Sequence, residues 1–406
     1  MVVRATTCTK KIVTLNVQPG SLTAAFDEQT VLAYDRAGRL WSTFFSGCTF
    51  RRGLDGGVLG KWTERGQRER RRMSPSEVSL VVNRSAGLMS SLADDVMFDA
   101  PPRAAQEIKT LLQRAMCFTV PVARADADHF LHVYRPLGIL PPDQYLALVL
   151  QMTEGCSFNT CTFCTFYRDR PFRIKSPDEF RAHILAVRDY LGDSLLLRRG
   201  IFLADANALV IPQRQFVPLL QVLREEQMKL KGLRGFRSDA PIPLFAFLDG
   251  FSGSKKSADD YAELATYGLT RIYIGLESGH DPLLSWLRKP GHAADAVKAV
   301  RAIKAGGVKV CVIVLLGAGG TRFAERHVRD TIDVINAMAL GAGDLIYFSD
   351  FVSMPDQPYG QIAEYDAVKP LTADQMHAQR REMESGLKFS GAPPKLATYD
   401  IREFVY

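Results

Sequence analysis

From residue 145 to residue 349, short apolar runs of strand length alternate with longer segments of helical periodicity, and this alternation restricts the fold more than any other feature of the chain. The runs fall at 145–152, 200–203, 244–248, 271–276, 309–316 and 345–349. Most are apolar at consecutive positions, the pattern of strands buried on both faces in a parallel sheet covered by crossover helices. Segments 177–190, 213–229, 257–267, 293–305 and 323–339 supply the helices. Polar residues just past the strand ends are what a (β/α) barrel shows at its functional face. The fold class expected is therefore α/β: a partial (β/α)6 TIM-type barrel over residues 144–350, since six units are too few for a closed eight-fold one.

The flanks read differently. Alternating stretches at 12–17, 30–34 and 40–45, broken by Gly and Asp, predict small strands in an N-terminal module spanning 1–143. A basic segment, KWTERGQRERRR at 61–72, precedes a helix start at Ser74-Pro75, and another helix is expected after Pro101-Pro102. Leu140-Pro141-Pro142-Asp143 reads as a linker. A C-terminal extension, 351–406, holds one more helix at 372–386 and an aromatic tail with Tyr399, Phe404 and Tyr406. With 406 residues, 47% of them apolar, the chain can bury a large core. No run approaches the roughly eighteen apolar residues of a membrane helix. The N-terminus lacks the apolar stretch of a secretory signal, so a cytoplasmic location is expected. A net charge of +7 is a modest excess for this length and ordinarily serves solubility.

Seven cysteines make an odd number for a disulfide framework, and three of them, Cys156, Cys161 and Cys164, crowd into one short loop directly after the first barrel strand. Thiolates so spaced can converge on one inorganic centre, leaving one iron of a four-iron cluster open to a further ligand. Structural zinc wants four protein ligands, and His132 and His183 only flank the loop at a distance. The remaining Cys8, Cys48, Cys117 and Cys311 form no second cluster motif.

The loop Glu154-Gly155-Cys156-Ser-Phe-Asn-Thr-Cys161-Thr-Phe-Cys164-Thr-Phe-Tyr167, together with Gly275-Leu276-Glu277-Ser278-Gly279 at the fourth strand end and Gly317-Ala318-Gly319-Gly320 after the fifth, resembles the radical SAM superfamily. The nearest group is the one shared by Elongator subunit three, the methylthiotransferases and the oxygen-independent coproporphyrinogen oxidases. That family usually leaves three residues between the first two cysteines; this chain leaves four. The resemblance implies a [4Fe-4S] cluster on Cys156, Cys161 and Cys164, and S-adenosyl-L-methionine as second cofactor. It implies that Phe163 and Tyr167 border the adenine and the cluster, although ordinary core packing accounts for them equally. Glu277, with Ser278, would reach the ribose, and the turn at Gly317 and Gly319 would approach the adenine closely. The family's Gly-Gly-Glu motif is missing after the second strand, where Asp205 and nearby carbonyls would receive the methionine amino group, or where Asp205 is a turn residue. Arg288 or Lys289 would neutralise the cofactor carboxylate, a solvated helix end being the other reading.

The implied activity is reductive cleavage of S-adenosylmethionine to a 5'-deoxyadenosyl radical, with a one-electron donor such as ferredoxin or flavodoxin. No cobalamin-binding domain, acetyltransferase module or auxiliary cluster motif is recognisable. A small-molecule substrate is the leading expectation. RNA is second, motivated by Arg51, Arg52, Lys61, Arg65, Arg68 and Arg70 to Arg72 beside Phe50 and Trp62. A non-enzymatic zinc or iron-sulfur protein explains the cysteines but not Glu277 or the Gly317 turn.

Overall fold

A computed structural model describes the chain except for residue 8, residues 93–100, 228–240 and 252–254, and residue 355. The last two residues of the helix expected at 213–229, and Cys8, lie outside the described residues.

The N-terminal strands β1 (Val2–Thr6), β2 (Ile12–Gln18), β3 (Ser21–Asp27), β4 (Thr30–Asp35), β5 (Leu40–Phe45), β6 (Cys48–Arg52), β7 (Val58–Glu64) and β8 (Gln67–Arg72) pair in chain order as one antiparallel sheet. Sequence alternation reveals only some of these strands. β8, with the composition QRERRR, carries no apolar signal because neither of its faces is fully buried. Helices α1 (Pro75–Ser90), α2 (Pro102–Met116) and α3 (Val120–Val133) follow. Ser74 and Glu77 form a reciprocal capping box that starts α1 at Pro75, as the sequence indicates. The sheet's alternating residues, among them Val13, Leu15, Leu22 and Leu32, bury one face against Val82, Met89, Ile108 and Leu111.

The second body is built from β9 (Leu148–Gln151), the two-residue strands β10 (Thr153–Glu154) and β11 (Arg173–Ile174), α4 (Pro177–Leu191), β12 (Ile201–Ala204), α5 (Gln213–Gln227), β13 (Leu244–Asp249), α6 (Ala258–Thr266), β14 (Leu269–Glu277), α7 (Asp281–Trp286), α8 (Ala293–Ala305), β15 (Lys309–Leu316), α9 (Gly320–Ala337) and β16 (Leu345–Asp350). It is completed by α10 (Pro358–Tyr365), α11 (Ala373–Gly386) and β17 (Lys395–Thr398). The sheet order is β9-β12-β13-β14-β15-β16-β17 and every pairing is parallel. This is the expected partial TIM-type core plus a seventh strand drawn from the C-terminal extension. The sequence conceals β17 because its four residues, KLAT, are none of them fully buried.

Two segments differ in role from their sequence reading. The stretch expected to be a linker packs into the barrel, where Leu140 and Gln144 are buried. There Asp143 accepts hydrogen bonds from Tyr273 Oη (2.5 Å) and Tyr347 Oη (2.9 Å) and pairs with Arg271 (3.3 Å), plugging the N-terminal end of the sheet. The basic segment is the β7–β8 hairpin, and much of its charge meets the chain's own C-terminus. Lys61 pairs with Glu403 (2.7 Å), Arg70 with Asp400, and Arg72 donates to the Phe404 carbonyl (2.6 Å). Arg71 pairs with Glu77 (2.6 Å). Tyr406 Oη accepts from Val149 N (2.9 Å), and Tyr399 Oη donates to the Leu140 carbonyl (2.9 Å).

His183 of α4 lies buried behind β9, its Nε2 accepting from Gln151 N at 3.0 Å. Burial, aided by Lys175, holds its pKa down to about 3. The unfolded chain therefore takes up a proton near pH 6.5 that the folded chain refuses. Stability present above that pH should fall as pH drops from about 6.5 toward about 3. Urea titrations of wild type and His183→Gln across this range should show a shallower acid dependence in the variant; parallel curves would contradict the assignment.

Candidate active site

The cysteine loop runs from Gly155 to Phe172 with little regular structure, and its shape is imposed at its two ends. The β10–β11 hairpin pairs Thr153 with Ile174 and Glu154 with Arg173. Glu154 accepts from Arg173 Nε (2.9 Å) and Nη2 (3.0 Å) and from Lys175 Nζ (2.5 Å). Burial opposes its charge, but these two cations hold its pKa down to about 2. Gly155 has φ +78°, and a Cβ there would stand 2.8 Å from the Pro171 carbonyl oxygen, so only glycine lets the loop ends meet.

Asp205 secures the same junction from the end of β12. Its carboxylate accepts from Gln151 Nε2 (2.9 Å), Gly155 N (3.1 Å) and Arg170 Nη2 (3.3 Å), and its own amide donates to Thr153 Oγ1 (2.9 Å). Burial raises its pKa against the opposing pull of Gln151 and Arg170. Further along the loop, Asn159 Nδ2 donates to the Tyr167 carbonyl (2.9 Å), Thr162 N to the Leu287 carbonyl (3.0 Å) and Gln357 Nε2 to the Phe163 carbonyl (2.7 Å). These bonds satisfy backbone groups of the loop that no strand or helix pairs.

At the C-terminal ends of the parallel strands lies a cavity of about 220 Å³, and Cys156, Cys161 and Cys164 all contribute to its wall. Phe163, Tyr167, Glu277 and Lys289 line it as well. Glu277 ends β14 in the left-handed region, with φ +61°, where the register with β15 breaks between Gly275 and Glu277. A side chain in that conformation is strained by about 1 kcal/mol or more. The bend carries the Glu277 carboxylate to Lys289 Nζ at 2.7 Å. A Cβ on Gly275 would fall 2.4 Å from Glu277 Oε1 and 3.0 Å from Lys289 Nζ, so the glycine makes room for the pair.

Burial works against the Lys289 ammonium, yet Glu277 and then Cys161 raise its pKa above the ordinary value. Burial pushes the Cys161 thiol up to about 12, partly offset by Lys289, and raises Cys164 too. All three cysteines are half-buried and free of disulfides. Among the described residues, no group of three or more His, Cys, Asp or Glu side chains closes round a single metal ion. Zinc draws its ligands to about 2.3 Å from one point, whereas an iron-sulfur cluster spreads its thiolates over separate irons. Three thiols on one cavity wall with an adjacent cation fit the anionic cluster better than a lone zinc ion.

Of the residues singled out in the sequence, the structure brings Cys156, Cys161, Cys164, Phe163, Tyr167, Glu277 and Lys289 to the cavity, but not Arg288. Asp205, Ser278, Gly317 and Gly319 do not line it. Ser278 Oγ bonds His327 Nδ1 (2.7 Å), Gly317 N donates to Gln379 Oε1 (2.8 Å) and Gly319 N to Tyr359 Oη (2.9 Å). Residues that sequence reasoning missed are Asn207, Asp249, Ser349, Phe351 and Tyr399. The first four stand at or just past strand ends, a position that could have flagged them. Nothing local marks Tyr399, which arrives with β17.

Residues 150–335 match the family described as the radical SAM superfamily. These residues are a radical SAM domain. Solved structures similar to this chain include coproporphyrinogen III oxidase (HemN) from Escherichia coli, at 12% identity over 63% of this chain and 54% of that one, TM-score 0.42. HydG, a maturase of the [FeFe]-hydrogenase, shows 13% identity over 78% and 63%, TM-score 0.40. The radical S-adenosylmethionine methyltransferase TsrM from Kitasatospora setae shows 19% identity over 54% and 37%, TM-score 0.38. The chain spans about a third of the cobalamin-dependent enzyme OxsB, 31% of its length. At these distances none of the four bears on substrate. No curated protein matches the chain. No described helix is long and apolar enough to cross a membrane.

Glu154 and Lys175 are each about nine-tenths buried, at 10% and 8% side-chain exposure. Glu154→Gln leaves Lys175 without a counter-charge and should cost about 3 kcal/mol or more in denaturant unfolding. Limited proteolysis of the variant should cut first within residues 155–172; an unchanged digestion pattern would show that the hairpin does not set the loop.

Proposed function

We propose that this radical SAM protein binds a [4Fe-4S] cluster through Cys156, Cys161 and Cys164 and S-adenosylmethionine beside it, and acts on a small molecule. The observation that carries the reading is that all three cysteines share one cavity wall with the Glu277–Lys289 pair, at the strand ends where barrel enzymes do their chemistry. When bound, the cluster supplies one electron that cleaves the cofactor to methionine and a 5'-deoxyadenosyl radical, which abstracts hydrogen from the substrate. The electron comes from a donor such as ferredoxin or flavodoxin.

The chain's own part is to hold and to enclose. Cys156, Cys161 and Cys164 are the metal ligands. The Glu277 carboxylate is assigned to the ribose hydroxyls, and its strained backbone and its partner Lys289 fix its direction. Lys289 also keeps a positive charge near the thiolates. Phe163 and Tyr167 border the cofactor, and the apolar wall shields the site from solvent and so from competing reactions. Asp205 acts through the loop, which it anchors at Gly155 N. The small-molecule reading is favoured over RNA because the basic hairpin that suggested nucleic acid pairs Lys61, Arg70 and Arg71 with acids of the same chain.

The full chain, reconstituted anaerobically with iron and sulfide and given dithionite and S-adenosylmethionine, should form 5'-deoxyadenosine. Cys161→Ala should form none. Glu277→Gln should raise the KM for S-adenosylmethionine by about tenfold, the loss of one charge-assisted hydrogen bond. A fully loaded four-iron cluster that neither binds nor cleaves the cofactor would overturn the proposal, as would selective loading with zinc.

A further inference from the structure

Apart from the cysteines, polar side chains are few in the cavity wall, and most of them are already engaged. Glu277 and Lys289 bond each other, and Asn207 and Asp249 bond each other across the ends of β12 and β13. Tyr399 donates its hydroxyl to the Leu140 carbonyl. Ser349 differs: it is 2% exposed and its Oγ has no hydrogen-bond partner among the described residues. Buried hydroxyls without partners are uncommon because desolvation is uncompensated, and each calls for a reason.

The strand geometry gives the hydroxyl its direction. Side chains two apart on a strand share a face. Tyr347 points into the barrel, since its hydroxyl reaches Asp143, so Ser349 points into it one step nearer the mouth. Ser349 stands in register with Leu315 on β15, and both line the cavity. The surrounding wall is apolar or aromatic: Phe247, Ile313, Phe351, Val352 and Ile401. Tyr399 and Ile401 come from the C-terminal segment, so this part of the wall is assembled from outside the matched domain.

We infer that the β16 side of the cavity is a subsite for an uncharged, largely apolar molecule whose one hydroxyl or carbonyl group hydrogen-bonds Ser349 Oγ. The engaged state of Glu277, Lys289, Asn207 and Asp249 leaves that wall, among the described residues, without a free counter-charge for an ionic substrate. This deepens the proposed function by naming the class of molecule acted on, and it rests on that reading only for what happens to the molecule once bound.

The test is a binding measurement that needs no turnover. Phenol and toluene, near-isosteres differing in hydrogen-bonding capacity, are titrated calorimetrically into the full chain before any reconstitution. Phenol should bind about tenfold more tightly than toluene, as expected for one neutral hydrogen bond. Ser349→Ala should bring the two affinities together, and Ser349→Thr, which keeps the hydroxyl, should restore the difference. Val352→Trp should abolish binding of both, locating the site. Equal affinities in the wild type, a preference that survives Ser349→Ala, or no binding of either probe would overturn the subsite. Repeating the titration with saturating S-adenosylmethionine on the reconstituted protein should leave phenol bound; displacement would place Ser349 in the cofactor's own pocket and overturn the assignment to a substrate. Loss of 5'-deoxyadenosine formation with the phenol preference intact would instead sink the radical reading alone.

Discussion

The candidate site depends on how the cysteine loop is closed. A segment from Gly155 to Phe172 with little regular structure has no intrinsic reason to hold three thiols toward one cavity, and ordering it carries a considerable conformational cost. Two buried carboxylates meet that cost at the same place. Glu154 joins the loop's ends through Arg173 and Lys175, and Asp205 holds Gly155 N and Arg170 from the neighbouring strand. Glu154 is kept ionised by its two cations against a burial that would neutralise it, burial outweighs the partners of Asp205 and raises its pKa, and each carboxyl would be expensive to leave without its partners. Asp205 is thus placed to act on the cysteines through backbone geometry even though it does not reach the cavity wall.

What was legible in the sequence, and what was not, follows from the range of the interactions. The barrel strands could be read because burial on both faces writes itself into consecutive residues, as in β15, KVCVIVLL. Cys156, Cys161 and Cys164 could be read because their signal is local spacing. The capping box at Ser74 and Glu77 is equally local. By contrast, β17 is specified mainly by what it pairs with, and the plug at Asp143 depends on Tyr273 and Tyr347 from strands far along the chain. A Pro-Pro-Asp sequence resembles a linker until its acceptor oxygens are seen to meet two phenols. The pairing of the basic hairpin is hidden for the same reason: Arg70 and Lys61 meet acids more than three hundred residues away, and only the Arg71–Glu77 pair is local.

The tail binds the two bodies of the molecule together. Asp400 and Glu403 engage the β7–β8 hairpin, while Tyr399 and Tyr406 bond the backbone at Leu140 and Val149. A buried cluster nearby has a similar bridging role, with Arg39 of the N-terminal sheet donating to Asp126 of α3 (2.6 Å) and to the Tyr190 carbonyl of α4 (2.7 Å). The N-terminal sheet therefore reaches the cavity indirectly: it holds the segment that presents Tyr399 and Ile401 to it. A change in the hairpin arginines has a structural route to the cavity wall without touching any ligand.

The charges in that wall are arranged so that few are spare. A lysine buried as deeply as Lys289 would ordinarily lose its proton, and Glu277 keeps it charged while adding no net charge to the cavity. The arrangement requires that Glu277 leave the regular strand conformation and that residue 275 have no side chain, two local departures that make sense together and not separately. An anionic centre formed on three thiolates would meet a fixed ammonium there, and elsewhere the wall is mainly apolar. The ammonium thus stands paired beside the cysteines, and the β16 side of the cavity is left to recognition by shape and by the hydroxyl proposed for it, that of Ser349.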